Sequence, residues 1–259
     1  MDCGYDRAHP SQRVRLTMTT FPAPPRALPD IDWVEIPGGD YIYQEGKSRS
    51  LPTFYMARYP VTNVRYQAFI DAGGYDDERW WQGIERTQPQ ESRWPQATRP
   101  CTSVNWYEAV AFSRWLSEQL GYTVRLPSEE EWERAARGRD GRAFPWGDDY
   151  STGYANINET WDSPGGQKLE HTTEVGAYPQ GASKEGVLDL AGNVWEWCLN
   201  KHDHPQQAEA DTSGDARVLR GGSWYGNPDA VRSAERNWND PSERVDNAGF
   251  RLVSSGPIR

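Results

Sequence analysis

The sequence has few cysteines, no long apolar run and no excess of positive charge, and each shortage removes a class of protein. Its three cysteines, Cys3, Cys101 and Cys198, are odd in number and far apart, so they give no disulfide framework and no metal-ligand spacing. Reduced thiols are the expectation. No apolar stretch approaches the roughly 20 residues that cross a bilayer, and the N-terminal "MDCGYDRAHPSQRVRLTM" lacks the apolar centre of a secretory signal. A cytoplasmic protein with no membrane insertion is therefore expected. With 38 acidic against 28 basic side chains the net charge is -10, which repels the phosphates of nucleic acid, so no nucleic-acid partner is expected. What the chain has in quantity is aromatic: 13 Trp and 13 Tyr supply large buried areas that also carry a hydrogen-bonding atom.

Length permits one core. Residues 1–30 contain "FPAPPRALP" without apolar periodicity and read as a flexible arm, leaving 31–259 as one folded domain. "DWVEIPGGDYIY" alternates around Pro-Gly-Gly as a hairpin would, and "FYMARYPVTN" reads as a strand that ends at Pro60 or lies at an edge. Three helices follow. Thr62 is placed to cap one that carries Tyr66, Phe69 and Ile70 inward and stops at Gly73-Gly74. Asn105 with Glu108, and Ser128 with Glu131, have the spacing of capping boxes; their helices carry Phe112, Trp115, Leu116 and Leu120, then Trp132, Ala135 and Ala136, and stop at Gly121 and Gly138. Beyond Gly138 periodicity fades, so ions and buried Trp are expected to order the backbone.

Eight blocks now occur in order: "YPVTNVRYQAFI", "SVNWYEAVAFSRWL", "VRLPSEEEWERAARG", "FPWGDD", "GVLDLAGNVWEW", "RVLRGGSW", "RSAERN" and "AGFRLV". They resemble the formylglycine-generating enzyme family, also called sulfatase-modifying factor domains. The resemblance implies an α+β, C-type-lectin-like fold with much irregular structure. It also implies two reactive cysteines after the Gly-Gly-Ser, and counting from Gly221-Gly222-Ser223 puts Gly226 and Val231 at those places. Only a thiolate does that chemistry, so neither copper nor formylglycine-generating activity is expected, and the chain is read as no enzyme. Family members with clustered histidines offer another model, but here His202-Asp203-His204 reads as a solvated loop.

Two candidate sites follow. In "DLAGNVWEW", Asp189 and Glu196 supply hard carboxylates that suit calcium, and the resemblance adds the carbonyls of Gly192 and Val194. A second calcium site implied at Asn156-Ile157 lacks matching ligands downstream. Trp195 and Trp197 read as core, and Arg232, Arg236 and Arg251 as scaffold ion pairs. The other candidate is the segment between "RGGSW" and "GFR". Its mixture resembles adaptable binding loops, with Tyr225 and Trp238 as anchors and Asn227, Asp229, Glu235, Asn237, Asn239, Glu243, Asp246 and Asn247 as orienting polar groups. The segment also resembles the C-terminal variable region of diversity-generating retroelement proteins, although Glu235, Trp238 and Glu243 need template codons other than AAC. The expectation is a non-catalytic recognition protein presenting residues 225–247 as one continuous face to a protein or small-molecule ligand. The alternatives are an oxidoreductase-like enzyme of altered chemistry near Ser223, Gly226 and Val231, and a non-variable interaction module.

Overall fold

The computed structural model describes residues 31–161 and 166–256, so the arm expected at 1–30 lies outside the described residues. Strand β1 (Trp33–Ile36) pairs antiparallel with β4 (Phe54–Ala57), and β4 pairs on its other side with β9 (Val253–Ser254), near the C-terminal end. The strand expected at "FYMA" is therefore central, and Pro60 lies beyond its end. The expected hairpin at Pro-Gly-Gly does not form. Instead β2 (Gly39–Tyr43) pairs with β3 (Lys47–Leu51), while the Pro37 carbonyl accepts from Arg134 Nη2 at 3.0 Å rather than from a facing strand.

Helix α1 (Asn63–Asp71) buries Tyr66 and Phe69, and Thr62 occupies its N-cap without a side-chain cap bond. Helix α2 (Trp106–Leu120) begins with the full Asn105–Glu108 capping box and ends on Gly121 in the left-handed region. Helix α3 (Glu129–Arg137) has the reciprocal Ser128–Glu131 box, which satisfies two otherwise orphaned N–H donors. Between α1 and α2 the core is a packed set of rings, Tyr66, Phe69, Phe112, Trp115 and Phe250, with centroids 5.4–6.2 Å apart.

The half of the chain that lacks periodicity contains a four-stranded sheet in the order β7-β6-β5-β8. Here β5 is Trp195–Lys201, β6 Arg217–Arg220, β7 Arg236–Asn239 and β8 Ala248–Gly249. Residues of β5 on both faces are buried, which removes the alternation by which a strand is recognised. Trp197 is fully buried and Trp195 packs against the main core, as expected of both. Cys101 and Cys198 are unpaired and buried, and burial pushes both thiols up, away from the reactive thiolate.

Candidate functional site

Both ends of the C-terminal segment are fastened by buried arginines. Arg220, the last residue of β6, sits between two carboxylates of α3, with Nη1 3.0 Å from Glu129 Oε1 and Nη2 2.7 Å from Glu133 Oε2. Arg251 meets Glu196 of β5 through two 2.6 Å hydrogen bonds. After Arg220 the chain turns on Gly221 and Gly222, with φ of 93° and 73°. A Cβ on Gly222 would lie 2.5 Å from Val231 Cγ1, so only glycine lets the backbone pass. Ser223 and Trp224 remain buried, and Trp224 N donates to the Asn193 carbonyl at 3.1 Å. Tyr225 is the first side chain to reach solvent.

Four rings then line up edge to face. Trp161 meets Tyr225 with centroids 6.5 Å apart, Tyr225 meets Trp224 at 5.8 Å, and Trp224 meets Trp94 at 5.3 Å. Tyr225 and Trp161 are 57% and 60% exposed, and the buried Trp224 Nε1 has no hydrogen-bond partner among the described residues. Arg93 closes the row, its guanidinium 4.9 Å over the Trp94 ring and paired with Asp246. Asn247 Nδ2 donates to Ser223 Oγ at 3.3 Å. Chemically the row offers flat apolar ring faces, with the unpartnered Trp224 N–H enclosed behind them. Trp161, Trp94 and Arg93 come from outside the segment, and no local sequence signal marks them.

The expected single continuous face is corrected to two clusters. Trp238, 55% exposed, stands on β7 with the His202 ring 6.1 Å away, and shares no ring contact with Tyr225. Its neighbours Asn237 and Asn239 accept from the backbone N–H groups of Trp238 and Asp240 at 2.9 and 3.0 Å. Asn227 Oδ1 likewise accepts from Ala230 N at 3.0 Å, and Asp229 pairs with the exposed Arg232 at 3.1 Å. Glu235 and Glu243 are exposed in turns. Arg236 and Arg251 are scaffold pairs, whereas Arg232 is a surface pair. His202 Nδ1 lies 2.9 Å from Asp203 at the end of β5.

The proposed calcium ligands are engaged unequally. Both Glu196 oxygens accept from Arg251, and Oε2 also accepts from Trp132 Nε1 at 2.7 Å. Glu196 therefore does not fit as a ligand in this arrangement, because its charge is already matched. The Gly192 carbonyl accepts from Val194 N at 2.9 Å. Asp189 fits better. It is buried with φ of 58°, and Oδ2 accepts a single 2.7 Å bond from Gly176 N. Burial pushes its carboxyl up to about 6, against the pull of that N–H and of Arg251. Asn156 Oδ1 is buried without a hydrogen-bond partner among the described residues, while its Nδ2 donates to the His171 carbonyl at 2.9 Å. Among the described residues no group of three or more His, Cys, Asp or Glu is arranged to hold a metal, and no helix is long and apolar enough to cross a membrane.

A family model described as the sulfatase-modifying factor enzyme 1-like domain matches residues 19–255, so the chain belongs to that family. Hercynine oxygenase of Mycobacterium tuberculosis is 36% identical over 239 residues, taking in 78% of this chain and 53% of the oxygenase. The formylglycine-generating enzyme of Streptomyces coelicolor is 29% identical, over 87% of this chain and 90% of the enzyme. Treponema denticola variable protein 1 has the same fold, with a TM-score of 0.64 at 24% identity, covering 86% of this chain and 95% of that one. The fold is the expected C-type-lectin-like α+β fold of the formylglycine-generating type. The chain spans about half the length of the oxygenases it matches. The expectation that it is no enzyme is overturned: hercynine oxygenases at 35–37% identity point to enzymatic activity in the family.

Proposed function

We propose that this member of the sulfatase-modifying factor enzyme 1-like family recognises a small ligand on the aromatic row from Trp161 to Trp94, in the service of oxidoreductase chemistry of an altered kind. The observation that carries the reading is the contact between two large, mostly exposed rings, Trp161 and Tyr225. Exposed apolar patches of this sort mark binding surfaces. Asp246, paired with the Arg93 that lies over Trp94, and Asn247, bonded to Ser223 beside Trp224, supply the polar rim. Hercynine, which the oxygenases are named for, carries a trimethylammonium cation, and ring faces attract such cations by about 0.5–2 kcal/mol each. Calcium belongs to the proposal as a structural ion at Asp189 with the carbonyls of Gly192 and Val194.

The test is a titration of hercynine followed by tryptophan fluorescence. Saturable quenching in the parent protein, lost in Tyr225→Ala and Trp161→Ala, supports the reading. Saturable binding that both variants retain removes the aromatic row from it, and no saturable change at all removes hercynine as the ligand.

A second reading, that residues 225–247 are diversified by a retroelement, is favoured by one observation. The ten polar and aromatic candidates of this segment are exposed or half-exposed between the buried Arg220 and Arg251, so exchanges there leave the core intact. Sequencing codons 217–253 in sibling isolates tests it: substitutions confined to adenine-derived positions support it, and a uniform segment removes it.

A further inference from the structure

A second cleft, of about 270 Å³, lies between the β2–β3 turn and the start of β7 and shares no lining residue with the aromatic row. It is lined by Tyr43, Gln44, Glu45, Lys47, Pro205 and Arg236. Behind it lies the buried ion cluster of α3. Glu129 and Glu133 face Arg137, Arg220 and Arg236, so two carboxylates meet three guanidiniums and one positive charge is left over. Gln44 holds this arrangement from the turn. Its φ of 47° directs its backbone N–H to Glu133 Oε1 at 2.5 Å and its amide to Glu133 Oε2 and the Ala234 carbonyl.

The donors facing the cleft are not used up by the protein. Arg236 spends Nε on Glu129 and Nη2 on Glu129 and the His202 carbonyl, leaving Nη1 without a hydrogen-bond partner among the described residues. The Lys47 ammonium and the Tyr43 hydroxyl also lack one there. Burial, reinforced by Glu129 and Glu133, pushes the Tyr43 hydroxyl far up, so it stays protonated and remains a donor. On the acceptor side, the Gln44 carbonyl is already taken by Arg137 at 2.8 Å, and Glu45 is exposed and free to turn to water. In a chain of net charge -10, a cleft with this donor excess runs against the global charge. Trp238 is two residues along β7 from Arg236, hence on the same face of the strand, and offers an apolar surface for the organic remainder of a ligand.

We infer that this cleft binds a tetrahedral oxyanion, the phosphate or sulfate group of a small molecule, through Arg236, Lys47 and Tyr43. Tyr43 and Lys47 are facing residues of the β2–β3 hairpin and Arg236 belongs to β7, so the donors come from two elements that line the cleft together. A guanidinium edge, a point ammonium and a phenol can serve more oxygens than the two of a planar carboxylate. The inference is independent of the aromatic row.

Calorimetric titration with inorganic phosphate, sulfate and acetate at fixed ionic strength tests it. The expected result is saturable binding of phosphate or sulfate, weaker binding of acetate, and a loss of roughly fivefold or more in affinity in Lys47→Ala and in Tyr43→Phe. Both changes spare the buried cluster, unlike Arg236→Ala, and circular dichroism checks that the variants fold. Absence of saturable binding, parent-like affinity in both variants, or acetate binding as tightly as phosphate would each overturn the inference.

Discussion

The Arg251 guanidinium grips the Glu196 carboxylate with two parallel hydrogen bonds, Nε to Oε2 and Nη2 to Oε1, each 2.6 Å long and fully buried. Arg251 Nη2 also donates to the Leu188 carbonyl at 2.9 Å, and its Nη1 to the Ala57 carbonyl at 3.1 Å. One side chain thereby joins the C-terminal "GFR" to β5, to the 188–190 loop and to the first sheet. Removing either partner strands a charge in the interior, which costs about 3–5 kcal/mol. Arg251→Ala is therefore expected to fall by that amount in urea unfolding, and a loss under 1 kcal/mol would mean that the pair does not anchor the fold.

The proposed ligand face predicts the opposite balance. Tyr225→Ala and Trp161→Ala remove exposed rings, so thermal midpoints should move by no more than roughly 2 °C, within the usual range for surface changes. Trp224→Ala, which empties a buried site, should lower the midpoint clearly. If Tyr225→Ala destabilises as much as Trp224→Ala, Tyr225 belongs to the core and the displayed face is lost.

How much of this was legible depended on distance along the chain. The capping boxes at Asn105–Glu108 and Ser128–Glu131 could be read because every participant lies within one turn. The hairpin at Pro37-Gly38-Gly39 was misread because the alternation was visible but the partners, β4 and β3, were not. Strand β5 gave no alternation because both of its faces are buried. The aromatic row was half found: Tyr225 stood out in its segment, but Trp161 and Trp94 reach it only through the fold. Glu196 looked like a calcium ligand because its partner, Arg251, lies in another block of the sequence.

Calcium should act through Asp189. An ion that binds the folded state alone raises stability by about 2.7 kcal/mol at a hundredfold excess over its Kd. Calcium added after chelation should raise the thermal midpoint of the parent protein and leave Asp189→Asn unmoved. Equal midpoints with and without calcium in the parent would remove the ion from the proposal.

A pH effect follows from Asp211. Burial alone would raise its carboxyl, but hydrogen bonds from Lys201 and Ser213 and the charge of Arg217 outweigh it and bring it down to about 2. A depressed carboxyl stabilises the fold above its ordinary range near 4, and that contribution is lost as pH falls through about 2. Asp211 is about one-third exposed, so solvent screening reduces the effect to about 1 kcal/mol. The stability gap between the parent and Asp211→Asn should be full at pH 6 and shrink below pH 4; a constant gap would show that Asp211 acts by packing.

Gly222 links the anchor to the display, and its substitution separates the two. At φ of 73°, with Val231 Cγ1 2.5 Å and the Ala230 carbonyl oxygen 2.7 Å from where a Cβ would sit, alanine both strains the backbone and collides with a neighbour. Left-handed strain alone costs a non-glycine residue about 1–2 kcal/mol, and the collision adds to it. Gly226 lies outside that backbone region, and a Cβ there would sit 3.1 Å from the Ala230 methyl, a contact that a small shift relieves. Gly222→Ala is therefore expected to lose about 2 kcal/mol or more in urea unfolding, and Gly226→Ala under 1 kcal/mol. If the two lose equally, the turn at 221–222 does not determine where Tyr225 emerges, and the position of the Tyr225 ring must be set from Trp161 and Asn193 instead.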